Sequence, residues 1–333
     1  MSLTSLINGN SSHAKQFQEI LRQHIPAKTD FLTYSNRKAF SKYEIKIPSS
    51  FSNNYFSSVA GTAFDYLART IIAQKVTNNK NQAYTELIAE EGLSILKVRR
   101  GLNTNNQFLM KYDNGIQLFK DFVHSKNGVD IKKIIPAACY FARLEHIFRS
   151  NMLPKDIKES LIDDENPEII RDLEGLCNVF LDTFVNDIVG KESYVIFNPT
   201  FGDAAERIGG ADADIFIDGV LYDFKTSKFT GYNWKHIAQL WGYYLLYRIA
   251  ILNDDPEVDL IKKNIFRIAI YRARYGEIEY FNMNLMSEDE IMNAVNNLNG
   301  YIVNLKAKPS CLNANPTGPL LQHLFSVDGY GFE

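Results

Sequence analysis

The chain has 333 residues, of which 45% are hydrophobic, and its 36 Lys and Arg residues against 39 Asp and Glu residues give a formal net charge of −3. This length suits one large globular domain or two, and the near-neutral charge excludes nucleic-acid binding that rests on overall charge alone. The longest apolar run, residues 240–252, contains Arg248 and is too short to span a bilayer, and residues 1–10 lack the pattern of a signal peptide. We therefore expect a cytoplasmic protein with no membrane partner.

The cysteine content excludes two kinds of structural site. Cys139, Cys177 and Cys311 are scattered and odd in number. Neither a disulfide framework nor a tetrahedral zinc site is indicated, which agrees with a reducing compartment.

Residues 1–167 are predicted to form a mainly helical N-terminal lobe that packs on the rest of the chain and contributes to its site. Residues 11–56 are polar and irregular, with one helix expected at 14–24. Apolar residues at helical spacing predict the next helices. These helices span residues 59–73, 82–96, 114–124 and 131–149.

Residues 168–307 are predicted to form an α/β core, and residues 308–333 a linker and C-terminal tail. A long amphipathic helix at 168–189 precedes a strand at 193–198, a hairpin, a helix at 232–252 and a second hairpin over 264–283. In the second hairpin, Arg267, Arg272 and Arg274 are expected to add local positive charge. A further helix should follow an acidic N-terminal cluster and reach Leu305.

The first hairpin is the most informative stretch. Residues 212–217 and 220–226 are rich in strand formers, and the connector Asp218-Gly219 is a dipeptide favoured in type I′ turns. If the residues that flank this turn pair with each other, Asp214 lies opposite Asp223, and Asp212 lies opposite Lys225. Strand alternation then places all four side chains on one face.

Two carboxylates that face each other across a hairpin repel, by about 1 to 4 kcal/mol in polar surroundings. A divalent cation between Asp214 and Asp223 would remove that repulsion, with Lys225 beside it. The alternative is an exposed hairpin in which Asp212 and Asp214 form ordinary surface ion pairs with Lys225 and Lys228.

The order of these residues resembles a known nuclease pattern. Asp214, the run Asp223-Phe224-Lys225-Thr226 and a following helix with Gln239 and Tyr243 are similar to the PD-(D/E)xK nuclease superfamily, in particular its RecB-like exonuclease branch. The resemblance implies an α/β restriction-endonuclease-like core, a mixed sheet flanked by helices, with the large N-terminal helical region added.

The resemblance also implies roles for individual residues. Asp214, Asp223 and Lys225 would be catalytic. Asp214, Asp223 and the backbone carbonyl of Phe224 would bind Mg²⁺, or Mn²⁺, as hard oxygen ligands. Gln239 and Tyr243 would contact substrate or order the site.

Two further aspartates are candidate metal ligands. RecB-like nucleases carry a histidine about one turn after the glycine that begins an early helix, and here Asp65 stands in the comparable place after Gly61. Asp65 also precedes Arg69 by one turn, so a surface ion pair is the alternative. Asp212 is a reserve ligand if the hairpin register shifts or a second ion binds.

Metal-dependent hydrolysis of DNA phosphodiester bonds, by an exonuclease of repair, recombination or defence, is therefore the expected function. Three cysteines cannot provide the four ligands of the iron–sulfur cluster that some RecB-like nucleases carry, so no such cluster is expected. DNA is the expected partner, and a helicase is suggested by analogy. The alternatives are a catalytically silent nuclease-fold module that binds nucleic acid or protein, and a helical interaction protein.

Overall fold

A six-stranded mixed sheet flanked by helices organises the chain in its computed structural model. The structure describes residues 2–49, 51, 53–101, 106–125, 130–163, 166–255, 258 and 264–306, so the expected tail at 308–333 lies outside the described residues. The strands lie in the order β1-β6-β5-β4-β3-β2, and only β4 and β5 run parallel. The strands are β1 (Leu32–Thr33), β2 (Val195–Phe197), β3 (Ile215–Ile217), β4 (Val220–Lys225), β5 (Arg267–Arg272) and β6 (Glu277–Asn282).

Eleven α-helices are found among the described residues. They are α1 (Leu3–Asn8), α2 (Ser12–Gln23), α3 (Asn54–Lys75), α4 (Ile88–Arg100), α5 (Gln107–His124), α6 (Ile135–Ser150), α7 (Pro167–Phe180), α8 (Asn186–Ile188), α9 (Gly202–Arg207), α10 (Trp234–Leu252) and α11 (Glu288–Lys306). None of the helices in this part of the chain combines the length and apolarity needed to cross a bilayer.

The expected fold class, a mixed α/β sheet flanked by helices, is confirmed. The order of helix, strand, hairpin, helix and hairpin predicted for residues 168–283 matches α7, β2, β3–β4, α10 and β5–β6. The boundaries differ in places. A π-helical turn at Leu181–Val185 interrupts the helix expected at 168–189, and the expected loop after β2 contains α9.

Strand alternation divides the core between the two faces of the sheet. One face, with Phe216 and Leu221, packs against α1, α2, α9, α10 and α11. The opposite face, with Tyr222 and Phe224, packs against α3 to α7. Helices from residues 1–167 therefore lie on both faces, and α3 and α6 pack directly against α7.

The segment before β3 does not pair with β4; it pairs with the residues that follow β2. The register of Ile217 with Val220 agrees with the sequence prediction, but the ladder between β3 and β4 ends at Ile215 and Tyr222. Beyond that point the Asn198 N–H donates to the Asp214 carbonyl, and Asp212 forms an isolated bridge with Thr200. The expected strand at 212–217 is therefore too long, and the last residues of β4 have no backbone partner on the β3 side.

Two of the arginines expected to add positive charge are buried and neutralised. Arg272 pairs with Glu279 at 2.8 Å, and both side chains are fully buried. Arg274 forms two hydrogen bonds with Asp172 of α7, at 2.7 and 2.9 Å. The expectation that these two arginines add local positive charge is wrong, because the buried carboxylates of Glu279 and Asp172 neutralise them.

The pair of Arg274 with Asp172 also supports the loop that leaves β4. Besides Asp172, Arg274 donates from Nη1 to the carbonyl of Ile47 at 3.2 Å and from Nε to the carbonyl of Thr226. Because Thr226 directly follows Lys225, this arginine joins α7, the N-terminal segment and the end of β4.

Asp172→Ala should therefore lower the free energy of unfolding by about 3 to 5 kcal/mol, since it leaves a buried guanidinium unpaired. Glu174→Ala on the same helix is the matched control. Its ion pair with Lys132 is exposed, so the expected cost is about 0 to 1 kcal/mol. Urea unfolding curves measure both values, and equal costs would contradict the structural role of Arg274.

Candidate active site

Four of the predicted site residues meet where β4 extends past the end of β3. Asp214 reaches this opening from the segment before β3, while Asp223, Phe224 and Lys225 are the last residues of β4. The opening exists because the segment before β3 pairs with β2. The hairpin therefore concentrates polar groups at one end of the sheet.

The Asp214 carboxylate takes the place of a backbone partner for β4. Its Oδ2 accepts a hydrogen bond from the backbone N–H of Phe224. Burial, followed by the charge of Asp223, raises the pKa of Asp214 to about 7, against the opposing effects of Lys225 and the Phe224 N–H. Asp214 therefore titrates near neutral pH.

Asp223 is almost fully buried, with 1% of its surface exposed, and it faces Lys225. The Lys225 Nζ lies 2.6 Å from Asp223 Oδ2, so the ammonium and the carboxylate form an ion pair. Burial lowers the pKa of Lys225, but the charges of Asp223 and then Asp214 outweigh it, so the pKa is raised overall. Lys225 is thus a protonated ammonium that forms an ion pair with a buried carboxylate.

Phe224 connects the site to the opposite layer. Its ring packs edge-on against Phe64 of α3, Phe180 of α7 and Tyr271 of β5 at centroid distances of 5.5 to 6.1 Å. The Lys225 carbonyl accepts from Ala273, on the side of β5. Because successive backbone groups in a strand alternate in direction, the N–H and carbonyl of Phe224 point to the β3 side, where Asp214 lies.

Gln239 and Tyr243 lie one turn apart on α10 and act as one unit. Lys225 Nζ lies 3.3 Å from Gln239 Oε1, and Gln239 Nε2 donates to Tyr243 Oη at 2.8 Å. Tyr243 is only 3% exposed and stacks on Phe201 at 5.4 Å. Gln239 therefore holds the lysine, while Tyr243 orients Gln239 from inside the core.

Asp65 lies on α3 and its charge interacts with the carboxylate cluster. Gly61, one turn earlier, is so close to the end of β4 that an added Cβ would lie 3.3 Å from Thr226 Oγ1. Burial, then the charges of Asp214 and Glu145, raises the pKa of Asp65 well above its usual range. Arg69 is 7% exposed, and no ion pair within 4.0 Å joins it to Asp65 in the described part of the chain. The alternative of a surface ion pair therefore does not fit these positions.

Asp212 does not lie opposite Lys225, and this part of the predicted register is wrong. Its backbone pairs with Thr200, and its side chain, 41% exposed, lies 3.8 Å from Arg149 Nη2. The ladder between β3 and β4 ends at Ile215, and Asp212 pairs with the segment that follows β2, so it does not face Lys225. Asp212 stands at the rim of the site.

Sequence reasoning missed Glu145 and Arg149 of α6. Glu145 is 6% exposed; it accepts from Tyr66 Oη at 2.6 Å and from Arg149 Nε at 2.6 Å. The same arginine faces Asp212, and Glu145 acts electrostatically on Asp65. No local pattern indicates this arrangement, because α6 reaches the site only through its packing on α3.

A polar cleft of about 250 Å³ leads to Lys225 from the side of α1. Lys235 and His236 of α10 and Asn8 of α1 line it together with Lys225 and Gln239. Burial, then the charges of Lys225 and Arg272, lowers the pKa of His236 to about 3, so its imidazole is neutral at physiological pH. We call this space the lysine cleft.

The donor set for a metal ion is small. Within the described residues, no group of three or more His, Cys, Asp and Glu side chains has the geometry of a metal site. The candidate oxygens are those of Asp214, Asp223 and the Phe224 carbonyl. Burial and the charge of Asp223 raise the pKa of Asp214, and a nearby cation would relieve this repulsion, so the residues present fit a hard divalent ion.

Comparison with known proteins adds no assignment. No family model, no curated protein and no solved structure matches this chain significantly.

The raised pKa of Asp214 predicts how stability changes with pH. A carboxyl whose pKa is higher in the folded than in the unfolded protein contributes stability that is fully present below the unfolded pKa of about 3.9. This contribution is lost as the pH rises through about 7. In chelator, the parent should therefore lose more free energy of unfolding between pH 5 and pH 8 than Asp214→Asn, by an amount on the order of 2 kcal/mol after solvent screening.

Urea unfolding at several pH values measures this difference. Asp218→Asn is the matched control, because Asp218 lies in the turn of the same hairpin at its other end. Its pH profile should follow that of the parent. Parallel profiles for Asp214→Asn and the parent would contradict a raised pKa at Asp214.

Proposed function

We propose that this chain is a metal-dependent nuclease with a PD-(D/E)xK core of the RecB-like type, hydrolysing phosphodiester bonds of DNA as an exonuclease. The observation that carries the proposal is the meeting of Asp214, Asp223 and Lys225 at the open end of the β3–β4 hairpin. Three ionisable groups held at the end of a buried strand are costly to fold unless they serve a site.

The chain offers hard oxygen ligands on one side of the opening and a cation on the other. Asp214, Asp223 and the Phe224 carbonyl would hold Mg²⁺ or Mn²⁺, with Asp65 as a further carboxylate on the α3 side and Asp212 in reserve at the rim. When bound, the metal supplies stabilisation of negative charge at the scissile phosphate and activation of water.

Lys225 is proposed to orient the attacking water. Its raised pKa keeps Nζ protonated, so it donates hydrogen bonds, and its contacts with Asp223 and Gln239 restrict where Nζ points. Gln239 lines the lysine cleft and would touch substrate there. Tyr243, which is buried, is a positioning residue that acts through Gln239.

The second candidate is a nuclease-like binding module without catalysis. One observation favours it: among the described residues, no group of three or more His, Cys, Asp and Glu side chains has the geometry of a metal site. The nuclease would take DNA as its partner, with a helicase as a further partner by analogy, whereas the silent module would bind nucleic acid or protein. Cleavage assays separate them.

Asp223→Asn and Lys225→Ala should each abolish Mg²⁺-dependent cleavage of linear DNA, by a factor of about 10² or more, because each removes a group that touches metal, water or substrate. Release of labelled nucleotides from linear duplex and single-stranded DNA measures this loss. Circular dichroism should show both variants folded.

The controls are Asp218→Asn and Lys228→Ala. They make the same chemical changes at exposed positions outside the site, so cleavage should stay at the parent rate. Undiminished cleavage by both Asp223→Asn and Lys225→Ala would refute the nuclease assignment. A parent protein that binds DNA but never cleaves it would favour the silent module.

Tyr243→Phe should reduce cleavage through Gln239. The substitution removes the oxygen that accepts from Gln239 Nε2 and leaves the stacked ring in place. We expect a fall of about tenfold in kcat for Gln239→Ala and a smaller fall for Tyr243→Phe, with magnesium affinity by calorimetry unchanged in both. Loss of magnesium binding in either variant would contradict the roles given to this pair.

A further inference from the structure

A second cleft, of about 440 Å³, opens beside the candidate active site on the side of α3 and β2. It reaches Asp212, two residues before Asp214, and its walls come from Arg69 of α3, the segment that carries Gln82 and Thr85, and the end of β2 at Phe197 and Asn198. We call it the amide cleft. The nuclease proposal assigns no role to it.

The wall that carries Gln82 is firmly attached to the edge of the sheet. Asn78 donates to the carbonyl of Ser193 at 2.8 Å, and Asn79 donates to the carbonyl of Val195 in β2. The Thr77 N–H donates to the carbonyl of Lys191 at 3.0 Å. The amide cleft is thus built by side chains that fix a loop against β2.

The lining combines an apolar floor with neutral hydrogen-bonding groups. Phe197 and Ile88 supply apolar surface, while Thr85, Thr200 and Gln82 supply hydroxyl and amide groups. The oxygen Oε1 of Gln82 is buried and has no hydrogen-bond partner. A buried acceptor without a partner is costly unless a ligand donates to it, and a nucleobase carries donors of this kind.

Arg69 adds a buried positive charge to the same cleft. Arg69 is 7% exposed, and its guanidinium lies 5.1 Å from the centre of the Tyr66 ring. With the Asn198 amide in the orientation that satisfies both its oxygen and its nitrogen, the amide oxygen accepts a hydrogen bond from Arg69 Nη1 at 2.8 Å. Within the described residues no carboxylate forms an ion pair with Arg69. A guanidinium neutralised only in part favours an anionic ligand such as a phosphate.

We propose that the amide cleft binds one nucleotide of a single-stranded polynucleotide, with the base against Phe197 and Gln82 and the phosphate facing Arg69. A nucleotide matches both features of the cleft, since its base can bond to the neutral polar lining and its phosphate to the buried cation. The base must be unpaired, because in a duplex its hydrogen-bonding edge and its faces are occupied by the partner base and by stacking. The claim that this nucleotide neighbours the scissile phosphate rests on the proposed nuclease function.

The amide cleft lies next to Asp212, and Glu86 stands exposed at its rim. These carboxylates oppose binding of a phosphate along the whole cleft. Arg149 lies 3.8 Å from Asp212 and offsets part of its negative charge. The phosphate is favoured at the Arg69 end of the cleft, because the positive charge of Arg69 lies there.

Binding in chelator tests the proposal without relying on cleavage. A fluorescent single-stranded DNA 12-mer and a duplex of the same sequence are titrated with the parent, Arg69→Gln and Gln82→Ala. We expect the parent to favour the single strand, Arg69→Gln to weaken its binding about tenfold with a salt slope lower by about one, and Gln82→Ala to weaken binding with an unchanged slope. Arg99→Gln is the control, because Arg99 is exposed, bonds to Asn151 and lines neither cleft; it should bind like the parent.

Competition identifies the chemical class of the ligand. Deoxynucleoside monophosphates should displace the strand, whereas equal concentrations of inorganic phosphate or of deoxynucleosides should displace it far less. Equal displacement by inorganic phosphate would reduce the cleft to an anion site and overturn the proposal. Unchanged binding in both Arg69→Gln and Gln82→Ala, or binding of duplex as tight as of single strand, would also overturn it.

The same assay separates this proposal from the nuclease assignment. Asp214→Asn should bind the single strand at least as tightly as the parent, since it removes a negative charge. If the parent never cleaves DNA with any metal but Arg69→Gln and Gln82→Ala still lose binding, the amide cleft stands and the nuclease proposal fails. Should Arg69→Gln not fold, Gln82→Ala and the competition experiment decide, because Gln82 is not part of the closed core.

Discussion

The hydrogen bond from the Phe224 N–H to the Asp214 carboxylate is the interaction on which the site depends. It joins β4 to a segment that has already left the hairpin for β2, so a side chain replaces the missing backbone partner. A backbone donor buried without a partner costs about as much as a lost hydrogen bond. The Asp214 carboxylate removes this cost for the Phe224 N–H at the end of β4. The same bond brings a carboxylate to the buried Asp223 and accounts for the electrostatic character of the opening.

The layers of the fold hold this opening from both sides. Phe224 packs into an aromatic cluster with α3 and α7, while its neighbours Asp223 and Lys225 face α10, where Gln239 meets the lysine. Alternation along a single strand thus assigns packing to one face and chemistry to the other. Arg274, bound to Asp172, fixes the loop that follows, so helices on both sides restrict where Lys225 and Thr226 lie.

The two clefts approach the opening at the end of β4 from different sides and have different linings. The lysine cleft approaches from α1 and α10 and presents cations and a neutral histidine, whereas the amide cleft lies towards α3 and β2 and presents neutral polar groups around one buried arginine. We propose that their different linings bind different parts of a polynucleotide, the first the charged backbone and the second an unpaired nucleotide. A strand that passes from one to the other would cross the end of β4.

The sequence by itself determined the α/β class, the order of elements from α7 to β6 and the register of the hairpin next to its turn, because periodicity and an Asp-Gly turn are local properties. Only the tertiary structure decided that Asp212 follows β2, that Arg272 and Arg274 are buried in ion pairs, and that Glu145, Arg149 and Arg69 stand near the hairpin. These residues lie far apart in the chain and carry no shared pattern. Their proximity arises from the packing of α3 and α6 on the sheet, which depends on side-chain shape across many contacts and leaves no signal in a short motif.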